Sequence, residues 1–118
     1  MIGEKTQHHV SVGRLLNGKL NNEKQVGTSF YEGSGTKPYF KICLWQYPGQ
    51  PYYLVKNRDN RNYTVFSKMT DSDEESTTFQ CPVGYGYLTE DFKEALQVQF
   101  NFPWQKCFIS LHPENKGV

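Results

Sequence analysis

The sequence predicts a β-rich α+β domain, built as an antiparallel sheet or small barrel with one helix in the C-terminal half. Short runs rich in β-forming residues recur between glycine, proline and asparagine turns. Only one segment, near the C-terminus, has helical periodicity. The 118 residues contain no repeat and no linker-like stretch, so we expect one domain spanning residues 1–118.

The N-terminal part predicts two short strands. Residues 9–15 form the first, in which Val10 and Val12 alternate with polar neighbours, and the turn dipeptide Asn17-Gly18 follows it. Residues 19–24 are polar and are expected to be a loop. Residues 25–31 are the second candidate strand. The glycine-rich segment 32–35 follows and ends it.

Residues 38–68 predict a three-stranded antiparallel meander. Its first strand, 38–47, places alternate residues on two faces. One face is an ordinary apolar core face, and the other mixes large rings with a lysine: Phe40, Ile42 and Leu44 against Tyr39, Lys41, Cys43, Trp45 and Tyr47. Strands at 52–56 and 63–68 follow, joined by the exposed basic turn 57–62. Residues 70–76 are expected to be an acidic loop and 77–83 a further strand.

A helix is predicted at about residues 89–101. Thr89 is a suitable N-cap, and the acids Glu90 and Asp91 follow in the first turn, where the helix dipole favours them. An apolar stripe follows at helical spacing, and Pro103 would stop the helix: Phe92, Ala95, Leu96 and Phe100 form that stripe. Residues 106–111 are expected to be the last strand.

Charge and aromatic residues are concentrated in the same half of the chain. Residues 1–70 carry ten Lys and Arg against four acids and hold ten of the eighteen aromatics, whereas residues 71–118 carry three Lys against eight acids. Cations interleaved with rings suit a surface that follows a phosphate backbone and stacks bases. The sequence therefore predicts a single-stranded DNA or RNA site on the 38–68 meander. Its stacking rings would be Tyr39, Trp45, Tyr47 and Tyr52, and its phosphate-binding cations Lys41, Lys56, Arg58 and Arg61.

The segment Val12-Gly13-Arg14-Leu15 resembles the opening strand of bacterial single-stranded-DNA-binding proteins. In that family a Val-Gly-Arg-Leu strand begins an OB barrel, so the resemblance implies a small OB-like barrel and binding to single strands. The match covers four of 118 residues. The predicted late helix departs from that family's arrangement.

A protein-interaction module, such as an adaptor, inhibitor or assembly factor, is the alternative. The opposite charges of the two halves would favour docking on a charged partner or head-to-tail homo-oligomers. Exposed tyrosines would then act as interface hot spots. If instead another layer covers the rings of the 38–47 strand, they belong to the core.

Enzyme chemistry, cofactors and metals lack signatures in the sequence. No phosphate-binding, dinucleotide-binding or serine-hydrolase motif occurs, so we expect a non-catalytic protein without a cofactor. Adjacent strand residues such as His8 and His9 face opposite ways, and the acidic run 71–75 lacks the calcium-loop pattern. Cys43, Cys81 and Cys107 form no CxxC pair and read as reduced thiols. With no signal-peptide-like start and no long apolar run, a cytoplasmic protein without a membrane span is expected.

Overall fold

A computed structural model of the chain describes residues 5–33, 37–59, 61–72, 76–90, 92–101 and 106–113. These residues form eight strands in one closed antiparallel barrel. Each strand pairs with the next along the chain, and the last pairs with the first, so the topology is up-and-down. The strands are β1 (Lys5–Leu16), β2 (Lys19–Glu32), β3 (Tyr39–Leu44), β4 (Tyr52–Lys56), β5 (Tyr63–Ser72), β6 (Ser76–Tyr87), β7 (Ala95–Phe100) and β8 (Lys106–Ser110).

The predicted α+β class and its helix at about 89–101 are wrong. The described part of the chain is all-β, and β7 occupies the C-terminal half of the expected helix. The spacing of Leu96 and Phe100 fits a helical stripe, but with Val98 the same residues also alternate at period two. That second pattern prevails because β7 pairs on both sides, with β6 and with β8, and so completes the barrel. The OB-like barrel is also incorrect, since an OB-fold is a five-stranded Greek key and this is an eight-stranded meander.

Other residues of the expected helix pack on the outside of the barrel or form hydrogen bonds there. Phe92 and Ala95 pack on its outer surface against Phe108. Thr89 caps no helix, since no helix follows it in the described residues. Its hydroxyl instead accepts a 3.3 Å hydrogen bond from Nε2 of the buried Gln97. The carbonyl oxygen of that amide accepts a 3.3 Å bond from the Tyr87 hydroxyl. The outward-facing Gln97 is thereby satisfied although it is buried.

The meander predicted at 38–68 is confirmed. β3, β4 and β5 pair antiparallel in sequence, and Phe40, Ile42 and Leu44 face the core. The turn at Asn17-Gly18 is confirmed as well, with both residues at positive φ (53° and 74°), as a type I′ hairpin turn requires. Residues 19–24 are not a loop, since they form the start of β2 opposite β1. The acidic loop expected at 70–76 is wrong at both ends, since residues 70–72 belong to β5 and residue 76 begins β6, while residues 73–75 lie outside the described residues.

The barrel interior is the main hydrophobic core. Its side chains come from every strand, and their alternation follows from closure, because each strand presents every second residue inward. Among the members of this core, these are fully or almost fully buried: Val10, Ile42, Leu54, Val65, Leu96, Val98, Phe100, Cys107 and Ile109. Burying one such side chain contributes about 1.5–3 kcal/mol, so this cluster dominates the stability of the fold.

An irregularity between β5 and β6 bends the distal part of their hairpin. The register of the two strands shifts between Val65 and Phe66, and Cys81, which precedes the partner of Phe66, has φ 62°, a left-handed conformation that bulges use. The hairpin beyond this point places the Phe79 ring against Tyr53 and Tyr39 of β4 and β3, with centroid distances of 6.1 and 5.4 Å. The bulge thus brings a ring from β6 to the outer face of the meander.

Replacement of Val98 by alanine tests the strand assignment. Val98 is fully buried in the barrel, so we expect Val98→Ala to lower the free energy of unfolding by about 2 kcal/mol. In the helix predicted from sequence, position 98 would lie off the apolar stripe, and alanine would be neutral or stabilising there. Chemical denaturation measures the difference. Leu88→Ala, at a side chain that is 44% exposed, is the control and should change stability by less than about 0.5 kcal/mol.

Candidate nucleic-acid interface

A cleft of about 690 Å³ opens at the rim of the barrel where β3 begins and β4 ends. Three of the eight residues predicted to bind nucleic acid line it: Tyr39, Lys56 and Arg58. A fourth, Arg61, lies in the turn after β4 and is exposed. A volume of this size falls in the range of small-ligand sites.

The floor of the cleft is formed by inward-facing residues of adjacent strands. Tyr31 pairs with Phe40, and Phe40 pairs with Leu54, so the three side chains lie side by side at the mouth of the barrel. The Phe40 ring packs 4.9 Å from that of Tyr31. Since Phe40 and Leu54 are buried members of the core, the cleft ends at the barrel interior.

The charged groups that line the cleft are all cations. Lys37, Lys56 and Arg58 line it, and no carboxylate is present among its described lining residues. Lys56 Nζ lies 5.8 Å from the centroid of the Tyr63 ring on the neighbouring strand, a cation–π distance. This contact places the ammonium group beside the Tyr63 ring at the mouth, and the charged side chains of the described lining are three cations.

The turn between β4 and β5 holds Arg58 at the rim. The amide of Asn57 donates a 2.7 Å hydrogen bond to the carbonyl of Asn62 and closes the turn. Asp59 Oδ1 accepts bonds from the amides of Arg61 (2.9 Å) and Asn62 (3.2 Å). These amides lower the pKa of the exposed Asp59 carboxyl, chiefly through Arg61. The one acid of this turn is therefore engaged with the backbone, while the two arginines extend into solvent.

Aromatic rings form the outer wall of the cleft. Tyr39, Phe66 and Phe79 line it, and Phe79 lies edge-on to Tyr39 at 5.4 Å and tilted against Phe66 at 5.8 Å. Tyr53 is buried behind them. A wall of rings in mutual contact is rigid, so a planar ligand group that packs against it costs little ordering.

Two phenol groups lie at the mouth beside Lys56. Tyr31 and Tyr63 both line the cleft. Burial, and then the neighbouring Tyr31, raises the pKa of the Tyr63 hydroxyl. Tyr63 therefore stays protonated at neutral pH and can donate a hydrogen bond.

The structure does not bring the other predicted residues into this cleft. Lys41 lies farther along β3, opposite Tyr53, and Trp45 follows the far end of that strand with 59% of its surface exposed. Tyr47 packs partly buried against the core, and Tyr52 is buried with its ring 5.1 Å from Phe100. Six residues of strand span about 20 Å, so Trp45 and Tyr39 belong to opposite ends of the barrel.

Sequence reasoning missed several residues of the cleft: Tyr31, Lys37, Tyr63, Phe66 and Phe79. Tyr63 and Phe66 could have been predicted from the sequence, because they lie on a predicted strand directly after the basic turn. Phe79 was not, since its place depends on the bend of the β5–β6 hairpin.

The histidines and cysteines do not assemble a reactive group in the described residues. His8 is buried and bonds the Thr6 hydroxyl and the Ser110 carbonyl at 2.8 Å each, whereas His9 is exposed. No group of three potential metal ligands occurs within the described ranges. Burial raises the pKa of the Cys107 thiol to about 12, so this thiol stays neutral and unreactive at neutral pH.

Comparisons with protein families, with curated proteins and with solved structures found no match to this chain. Among the residues described by the structure, no helix is long and apolar enough to cross a membrane.

Thiol labelling tests the different environments of the cysteines. Cys81 is exposed and should react with a thiol reagent in the native protein at pH 8, whereas Cys107 should react only after unfolding. Mass spectrometry of peptides from native and denatured protein identifies the modified residue. Cys81→Ser should remove the fast phase. Fast native labelling of Cys107 would contradict its burial in the barrel.

Proposed function

We propose that this protein is a non-catalytic binding protein for single-stranded nucleic acid and that the rim cleft is its site. The observation that carries the proposal is the lining of the cleft, which combines three cations with a wall of rings and has no carboxylate among its described residues. Phosphates and bases are the ligand groups that this combination serves.

Under this proposal, different parts of a nucleotide would occupy different parts of the cleft. A base would stack on the wall of Tyr39 and Phe79, where base–aromatic contacts contribute about 1–3 kcal/mol each. Lys56 and Arg58 would neutralise phosphate oxygens at the rim. A duplex hides its base faces by stacking and would leave the aromatic wall unused, so the proposal specifies single strands.

A protein-interaction role is the second candidate, and the position of Trp45 favours it. This side chain is 59% exposed at the end of the barrel opposite the cleft, and tryptophan is enriched at interface hot spots. The partner could be another protein or a second copy of this chain. We further propose a cytoplasmic location, because the three cysteines are free thiols, which a reducing compartment maintains.

Removing cations from the cleft should weaken oligonucleotide binding. For Lys56→Ala and Arg58→Ala we expect a roughly three- to tenfold loss of affinity each at low salt. The slope of log K against log salt should become shallower by about 0.7 for each phosphate of a single strand that the variant no longer neutralises. Fluorescence anisotropy of a labelled, unstructured oligonucleotide measures both quantities for DNA and for RNA.

Lys106→Ala is the matched control for these variants, since Lys106 is exposed and lies at the start of β8, at the other end of the barrel. It should keep the affinity and the salt slope of the unmodified protein. Equal losses from Lys106→Ala and Lys56→Ala would show non-specific attraction, and the cleft would not be the site. A lack of binding to DNA and RNA at low salt would refute the proposed function.

The protein-interaction role predicts self-association or partner binding through Trp45. If the second copy is the partner, sedimentation velocity should show oligomers that persist at raised salt, because the contact is apolar. Trp45→Ala should shift them to monomer, whereas Tyr85→Ala, at a similarly open ring on β6, should not. A monomer at all concentrations would exclude self-association.

A further inference from the structure

The cleft is closed at its inner end. Phe40 and Leu54 form the floor, and both are buried members of the core that fills the barrel. The Phe40 ring is held from two sides, 4.9 Å from Tyr31 and 5.5 Å from His8. A strand cannot pass through this floor. It can enter the mouth end-on, or it can lie across the rim.

The donors of the cleft are concentrated beside that floor. Lys56 and Tyr63 face inward as a pair across β4 and β5, with the ammonium 5.8 Å from the ring centroid. Tyr31 adds a second phenol, while Lys37 and Arg58 stand at the rim. The set contains three cations and two hydroxyl donors, so it can neutralise more than the single negative charge of one phosphodiester.

A phosphate at the end of a strand matches this set better than an internal one. A phosphomonoester carries a charge of about −1.5 to −2 at pH 7 and three acceptor oxygens, whereas an internal phosphodiester carries one negative charge. An end can also enter the mouth without threading. The number of cations at the mouth therefore favours a terminal phosphate over an internal one.

We propose that the cleft recognises the phosphorylated end of a single strand, with the terminal phosphomonoester held at the mouth by Lys56 and Tyr63 and its base against Tyr39 and Phe79. This inference rests on the proposed function and specifies which part of the ligand the site selects. Both the 5′ and the 3′ monoester carry this chemistry, and oligonucleotides that bear one or the other distinguish them.

The test compares three oligonucleotides of one sequence, each with the same internal fluorophore: one with a 5′-phosphate, one with a 3′-phosphate and one with hydroxyls at both ends. We expect one phosphorylated form to bind roughly tenfold tighter than the hydroxyl form. The preferred form identifies the end that the cleft takes. Lys56→Ala should reduce this ratio to near one, and Lys106→Ala should leave it unchanged.

Tyr63→Phe gives a second reading of the same contact. It keeps the ring beneath Lys56 and removes only the hydroxyl, so affinity for the preferred phosphorylated form should fall more than affinity for the hydroxyl-ended strand, and the ratio of the two should decrease. Equal affinities for all three oligonucleotides, with Lys56→Ala weakening each alike, would overturn the end-recognition inference and leave the proposed function in place. Failure of all three to bind would refute both.

Discussion

Closure of the sheet is the constraint on which the rest of this structure depends. Among the described residues, the seam between β1 and β8 has two paired positions, Val10 with Ile109 and Ser11 with Phe108. Once that seam forms, every strand has a partner on both sides, and its side chains must alternate between the interior and the surface. Mainly apolar side chains fill the interior, so a ligand cannot occupy it. A ligand would therefore contact polar and aromatic groups at the rim or on the outer wall. The cleft occupies such a rim.

The chemistry of the cleft follows from two departures from a regular barrel. The turn after β4 is folded around Asp59, which engages the one carboxylate of that turn with backbone amides and leaves Arg58 exposed at the rim. The bulge between β5 and β6 bends their hairpin and adds Phe79 to the rings of β3 and β4. Positive charge and aromatic surface thus meet because local irregularities bring them together.

Local alternation and turn residues predict much of the barrel wall. Pairing between strands distant in sequence determines the remaining secondary structure and which side chains are buried. The strands at 39–44, 52–56 and 63–68 follow from period two and from the intervening turns. The segment at 95–100 fits both a helical and a strand period, so its secondary structure is determined by pairing with β6 and β8. Register also decided the candidate site, since Tyr52 pairs with the inward Ile42 and is buried, while its neighbour Tyr53 faces the outer wall. Tyr39, Lys56 and Arg58 were predicted from the sequence, whereas the contribution of Phe79 depends on the bend of the β5–β6 hairpin and could not be predicted.

Backbone amide chemical shifts, followed by NMR during a titration with an unstructured single-stranded oligonucleotide, show directly whether the cleft binds nucleic acid. We predict saturable shifts that cluster at cleft residues 37, 39, 40, 54–58, 63 and 79. Amides at the opposite end of the barrel, such as those of Trp45 and Lys106, should stay unchanged. Shifts centred on Trp45, or no shifts at low salt, would contradict the assignment of the cleft as a nucleic-acid site.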